Sequence, residues 1–276
     1  MGNSLHFKSA SSFSLEELAA SFNSAFVGYF YPQRMSARTL SRRVRCEQID
    51  LEHSIIAFEG EEFVGLALLG VRGAQGWCGG FGIVPEARGR GRACELMTEF
   101  VAQAQVCGVK RLSLEVLARN VAARRLYERA GMHKTRELLM LERSGEINAP
   151  ETLEELKEAE PRLLLRHFER LHAQPPAWQR DLAALLATDN VRGLRLGETG
   201  APAAYVIISP RPDGGTQLID LAATDADNAD ALCAGIAKLP GRLRVVNEPE
   251  DSLFIAALLA HGFIETDRQH EMACEL

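Results

Sequence analysis

Long apolar runs are missing from this 276-residue sequence. None approaches the roughly 18–20 residues that a membrane-spanning helix needs, so no membrane partner is expected. The N-terminus has no basic stretch leading into an apolar core, which argues against a signal peptide. Paired cysteines are missing as well. Six stand singly at 46, 78, 94, 107, 233 and 274, with no CxxC and no histidine spacing suited to zinc. No metal is expected, and reduced thiols in a cytoplasm are the economical reading. An excess of positive charge is lacking too. The formal net charge is -6, which gives no support for a nucleic-acid binder along the whole chain.

What remains is ordinary soluble composition, 46% hydrophobic and 25% charged. At roughly 100–200 residues per domain, the length favours two domains. Ser14-Leu-Glu-Glu17 is a capping box, and Leu15, Leu18, Ala19, Phe22 and Phe26 follow as one helical stripe. A second helix is expected from Ser36 to Glu47, with the aromatic connection Tyr29, Phe30 and Tyr31 between the two. Strands at Ser54–Phe58, Phe63–Val71 and Trp77–Val84 come next. Arg92–Val106 carries its apolar residues at helical spacing, and Leu112, Leu114 and Val116 alternate as a strand should. Asn120 opens a further helix that Gly131 closes, and a strand near Thr135–Glu142 ends the series.

Residues 142–160 hold seven acidic and two basic residues with Gly145 and Pro150. That shift divides the chain into domains at 1–143 and 161–276 with an acidic linker at 144–160, in which Glu151–Glu160 has a helical composition. The second half repeats the element order of the first. Its helices are expected near Leu163–Leu171 and Trp178–Leu186, and its hairpin turns at 197–200. Strands at Ala204–Ser209, Gln217–Ala222 and Leu243–Asn247 alternate with helices at Ala229–Leu239 and Ser252–Ala260.

The most informative stretch runs from Val84 to Ala93, where a strand ends, a glycine-rich turn follows and a helix begins at once. Gly89 and Gly91 let the backbone wrap closely around an anion with its N–H groups pointing inward. The helix N-terminus adds partial positive charge, and Arg88, Arg90 and Arg92 add charge that does not titrate away. From Pro85 to Arg136 there are eleven basic and five acidic residues, an asymmetry that suits a phosphate-rich ligand. It is no P-loop, because no Lys-Ser or Lys-Thr follows the glycines. A dinucleotide fingerprint would need glycine or alanine at Cys94.

Arg88-Gly-Arg-Gly-Arg-Ala93 resembles the pyrophosphate signature of the GNAT superfamily of N-acetyltransferases, Q/R-x-x-G-x-G/A. Leu114-Glu-Val116, Asn120, Ala123, Leu126-Tyr127 and Gly131 are similar to that superfamily's second cofactor motif. The resemblance covers roughly residues 5–143. It implies an α/β (α+β) fold of two tandem GNAT-like domains, each a mixed, mostly antiparallel sheet flanked by helices. The sheet would splay open between the strands at 77–84 and 112–117. It further implies acetyl-CoA as cosubstrate and an amine-bearing small molecule, peptide or protein as acceptor, with no nucleic-acid partner.

By the same resemblance, Phe81, Gly82 and Ile83 would pair with the pantetheine arm as an added strand, and Arg88, Gly89, Arg90, Gly91, Arg92 and Ala93 would hold the pyrophosphate. Asn120 would hydrogen-bond the pantetheine, and Tyr127 would protonate the departing thiolate. An amide near Ile83 would polarise the thioester carbonyl. The carboxylate many relatives carry on the strand before the loop is missing from Trp77–Ile83. Glu115 is therefore the first candidate for the base, and His53 the second. In the second half Leu258 stands opposite Tyr127, and the stretch 219–225 has neither glycine nor arginine. That half is expected not to bind CoA. A non-catalytic acyl-CoA sensor or scaffold is the alternative to an enzyme.

Overall fold

A computed structural model describes residues 4–145, 156–198 and 200–276. The chain forms two compact units, Met1–Thr135 with Glu271–Leu276, and Arg136–His270. The centre of the acidic stretch, 146–155, lies outside the described residues, as does Thr199 in the expected hairpin turn.

In the first unit the strands are β1 (His6–Ser9), β2 (Ile49–Glu59), β3 (Glu62–Arg72), β4 (Gln75–Ile83) and β5 (Arg111–Leu117). They lie in that order, followed by the end of the C-terminal strand, and Leu276, just past that strand, donates its amide to the Lys110 carbonyl at 2.8 Å. β1–β2, β2–β3 and β3–β4 are antiparallel, and β4–β5 is parallel. Alternation sorts the side chains onto two faces. Ile56, Leu66 and Leu68 meet helices α1 (Leu15–Ala25) and α2 (Ala37–Cys46). Ile55, Ala57, Ala67 and Leu69 meet α3 (Arg92–Val106), which buries Leu96, Met97, Phe100 and Ala104 in the cluster that also takes Tyr127 of α4 (Val121–Arg129). The capping box at Ser14 and Glu17 is formed, and Ser36 and Asn120 cap α2 and α4.

The second unit holds β6 (His133–Arg143, from Arg136 on), β7 (Lys157–Ala159), β8 (Arg192–Glu198), β9 (Ala201–Pro210), β10 (Thr216–Ala223), β11 (Leu243–Pro249) and the first part of β12 (Ile264–Glu275). Its order is β12-β6-β11-β10-β9-β8-β7, with β10–β11 parallel. Helices α5 (Pro161–Leu164), α6 (Phe168–Leu171), α7 (Leu182–Ala187), α8 (Ala226–Ile236) and α9 (Phe254–Ala260) flank it. From β8 to β12 the elements repeat, in chain order, those from β2 to β6. Lys157–Ala159 is a strand and not a helix, because it pairs with Arg195–Gly193 of β8. β1 and β12 are the other strands beyond the expected ones.

Arg143 is the largest fully buried side chain, and it belongs to the second unit. Its guanidinium donates to the Ala237 and Leu239 carbonyls at 2.7 Å each, just beyond α8. Burial lowers its affinity for the proton without removing its charge. Replacing Arg143 with Met should cost the second unit about 1–3 kcal/mol, the price of two orphaned carbonyls. The check is a lower urea midpoint at unchanged slope.

Candidate functional site

β4 pairs with β5 only at Gln75–Arg111, Gly76–Leu112 and Trp77–Ser113. A bulge follows on β4, where Leu69 faces Cys78 and Leu68 faces Gly80, so that Gly79 is the extra residue. From there to Ile83 the strand stands clear of β5. Val84 donates to the Val64 carbonyl at 2.9 Å. By antiparallel alternation Gly82 therefore pairs with Leu66, while the amides of Phe81 and Ile83 point into the gap. The glycines here answer to crowding. A Cβ on Gly80 would stand 2.9 Å from the Phe22 ring, and one on Gly82 the same distance from the Ala25 Cβ.

Arginines pin both ends of this open stretch. Arg43, fastened to Glu47 at 2.7 Å, donates to the Gly79 carbonyl at 2.5 Å. Arg88 donates to the Ile83 carbonyl at 2.9 Å and to the Ala25 and Val27 carbonyls at 3.1 and 2.8 Å, which ties the end of α1 to the end of β4. Arg92 is likewise engaged, with Glu59 and, at 2.8 Å, Glu95. Two of the three loop arginines are thus struts, and the exposed Arg90 is the one whose side chain is turned to solvent.

The anion cradle itself is backbone. Gly89 and Gly91 have φ of +77° and +82°, a region glycine enters without strain. Gly91 is the N-cap of α3, and no side chain caps it. Among the described residues the amides of Gly89, Arg90, Gly91 and Ala93 have no partner within the protein. Four open donors at the positive end of a fifteen-residue helix could hold an anion. Beside it a groove of about 240 Å³ runs between α3 and α4, lined by Cys94, Met97, Thr98, Val101, Leu126 and Arg129.

Tyr127 stands edge-on to Phe81, ring centroids 6.1 Å apart, and is 7% exposed. Burial first, then the neighbouring Cys78 and Tyr29, hold its phenol well above the ordinary value, so it keeps its proton. Asn120 accepts the Ala123 amide at 3.3 Å through its side-chain oxygen, which leaves the carboxamide nitrogen as a donor. Glu115 accepts the Trp77 indole N–H at 2.8 Å. Cys78 lies close enough to feel the Glu115 charge, but burial is the main reason its thiol is pushed up to about 12. A thiol so held is no nucleophile. His53 is bonded to Asp50 at 2.8 Å, near Cys107 at the C-terminal end of α3.

The sequence did not single out Arg43 or Arg119. Arg119, one residue before the α4 cap, lies over the Phe30 and Tyr31 rings at 4.8 and 5.3 Å and holds the aromatic connection. Its one signal was adjacency to Asn120.

The second unit keeps the splay and loses the cradle. β10 pairs with β11 only from Thr216–Leu243 to Leu218–Val245, and a bulge follows. Asp220 then stands where Gly80 does, bonded to the Tyr205 hydroxyl at 2.9 Å and to His172 at 3.0 Å. The stretch expected to correspond to the loop is largely strand, and only Thr224 and Asp225 link β10 to α8. Asp225 caps α8, its carboxylate accepting the Asn228 amide at 2.9 Å. The helix N-terminus already holds an anion of the chain's own.

An open strand edge, a set of open backbone amides at one end and a protonated phenol beside it come together in the first unit. Residues 15–132, within the first unit, match the profile of the Acetyltransferase (GNAT) family. A GCN5-related N-acetyltransferase from Sphaerobacter thermophilus shares the fold, with a TM-score of 0.71 at 13% identity over 98% of this chain and 95% of that one. A tandem GNAT protein from the clavulanic acid biosynthesis pathway aligns over 99% and 98% of the two chains, TM-score 0.67, 13% identity. Eis1 from Mycobacterium abscessus aligns at TM-score 0.57 and 19% identity over 99% of this chain and 74% of its own. A search of curated proteins found no relative by sequence. Among the described residues no helix is long and apolar enough to cross a membrane.

Proposed function

We propose that the first unit transfers the acetyl group of acetyl-CoA to an amine by direct attack in a ternary complex. The observation that carries this reading is the set of four open amides at Gly89, Arg90, Gly91 and Ala93, aligned with the open edge of β4. The pyrophosphate lies on those amides, with Arg90 beside it. The pantetheine runs along β4 against the Phe81 and Ile83 amides and the Asn120 carboxamide. The Ile83 amide supports the oxyanion that forms as the amine attacks. Tyr127 then gives its proton to the departing sulfur. Glu115, oriented by Trp77, takes the amine proton directly or through water. The connection at Tyr29–Tyr31, steadied by Arg119, walls the acceptor pocket.

The second unit takes no cofactor, because its link is two residues long and Asp225 fills the helix start. Isothermal titration with acetyl-CoA should give one site per chain. Two equivalent sites would overturn this division of labour. Six free thiols fit a cytoplasmic setting.

One observation favours the alternative of a non-catalytic acyl-CoA binder: the one acid on β5, Glu115, already accepts a hydrogen bond from Trp77. Thiol release on a panel of primary amines separates the two readings. Acetyl-dependent release above the hydrolysis background supports the enzyme, and tight binding without release on any amine supports the binder.

A further inference from the structure

Away from the cofactor cleft, three donor atoms of different chemistry converge. The register between β2 and β3 jumps from Asp50–Leu69 to Ile55–Ala67, so the chain between Asp50 and Ile55 is pushed out of the ladder. Asp50 organises the extruded turn. One carboxylate oxygen accepts the Glu52 and His53 amides at 2.9 and 3.1 Å, and the other meets His53 Nδ1 at 2.8 Å. Cys107, the residue that ends α3, brings its Sγ to 3.6 Å from that second oxygen. The oxygen, nitrogen and sulfur all lie within 4.8 Å of one another, on partly buried side chains.

We propose that Asp50, His53 and Cys107 bind one zinc ion, with water as the fourth ligand, and so clamp the β2 turn to the end of α3. Zinc bonds of about 2.0–2.1 Å to O and N and 2.3 Å to S, set tetrahedrally, put O and N about 3.3 Å apart and O and S about 3.5 Å apart. The observed 2.8 and 3.6 Å need small side-chain rotations. On binding, Zn²⁺ takes the place of the Cys107 thiol proton, which leaves to solvent, and of the His53 Nδ1 proton, which the neutral ring exchanges through solvent for one on Nε2; Asp50 exchanges its two side-chain hydrogen bonds for one metal bond. The Asp50 oxygen that holds the turn amides is not displaced. The ion sits at the opposite end of α3 from the anion cradle, about 22 Å along the helix at 1.5 Å per residue. Its role is therefore structural. No motif announces it, since the ligands come from positions 50, 53 and 107 rather than from one spaced run.

The test uses the full chain, stripped with a chelator under reducing conditions and titrated with Co²⁺. One equivalent should produce tetrahedral visible bands and a thiolate-to-cobalt charge-transfer band, both displaced by Zn²⁺. Cys107→Ser should abolish the charge-transfer band, and Cys94→Ser, which changes an exposed thiol elsewhere, should keep it. His53→Gln should weaken Co²⁺ binding at least about tenfold, the smallest loss usual on disturbing a metal site. Should a variant fail to fold, site-resolved alkylation of the parent protein decides the matter: Zn²⁺ should protect Cys107 and leave Cys94 reactive. A charge-transfer band that survives in Cys107→Ser, or alkylation of Cys107 indifferent to Zn²⁺, would overturn the site and reduce the cluster to a hydrogen-bonded turn. Acetyl-CoA affinity is expected to be the same with and without the metal, so this outcome is independent of the proposed transfer reaction.

Discussion

Gly91→Asp should weaken acetyl-CoA binding by about two to three powers of ten while leaving the first unit folded. The Cβ site of Gly91 has nothing within 4 Å, so the side chain meets no steric obstacle. The backbone at φ +82° disfavours most residues, but Asp and Asn are the side chains that tolerate this region best. The carboxylate would stand at the N-cap of α3, accept amides from the first turn and occupy the place of the pyrophosphate. Two unit charges about 4 Å apart at an effective dielectric near 20 repel by roughly 4 kcal/mol. A rise in Kd of two to three powers of ten follows. Gly91→Asn is the control, with the same backbone demand and no charge, and its Kd should rise less than about tenfold. Calorimetry with both variants, each checked by thermal melting, reads the difference. Equal affinities for the two would remove the phosphates from this loop. Asp225, the N-cap of α8 in the unit proposed to bind no cofactor, already presents such a carboxylate to its own helix.

Local chemistry made much of this architecture legible. Arg92–Val106 could be bounded to the residue because an apolar stripe is framed by glycines at both ends. Asn120 and Ser14 announced their helices because a cap acts on its own next turn. The gap in the sheet came from the family resemblance, and the pairing of β4 with β5 ends where the bulge at Gly79 begins. Long-range partners were not legible. Nothing in the spacing of Arg88 and Arg92 tells that their guanidiniums turn to the Ala25 and Val27 carbonyls and to Glu59. The loop reads as inward-pointing amides and three arginines around an anion, and of those arginines Arg88 and Arg92 have guanidiniums engaged within the protein. β12 was missed because Glu265–Glu271 is a polar run with no apolar alternation, held by backbone pairing. For the same reason nothing foretold that its last residues, 271–276, complete the first unit, where Met272 and Cys274 enter the core.

Tyr127→Phe should lower turnover by about a hundred- to ten-thousand-fold, the usual worth of a general acid, with little change in acetyl-CoA affinity. The ring is buried against Phe81 in the main core of the first unit, and phenylalanine fills the same space. Only the hydroxyl is lost. Its proton is firmly held because burial, helped by Cys78 and Tyr29, raises its affinity for the proton well above that of a free phenol. A firmly held proton is nonetheless transferable to a thiolate that is itself leaving into a buried, poorly solvated gap. The hydroxyl matters only as charge develops on sulfur, so kcat and kcat/KM should fall together while KM for acetyl-CoA stays put. The pH profile carries an independent sign. The acid must be protonated to act, and its titration is shifted upward from the ordinary 10, so the parent enzyme should show no alkaline fall from this residue below pH 10. An alkaline limb between pH 8 and 9 that persists in Tyr127→Phe would belong to another group. Steady-state kinetics of both proteins across pH, on an acceptor amine found by screening, make the comparison. Equal rates with binding and fold intact would leave Tyr127 a packing residue and assign the proton to water.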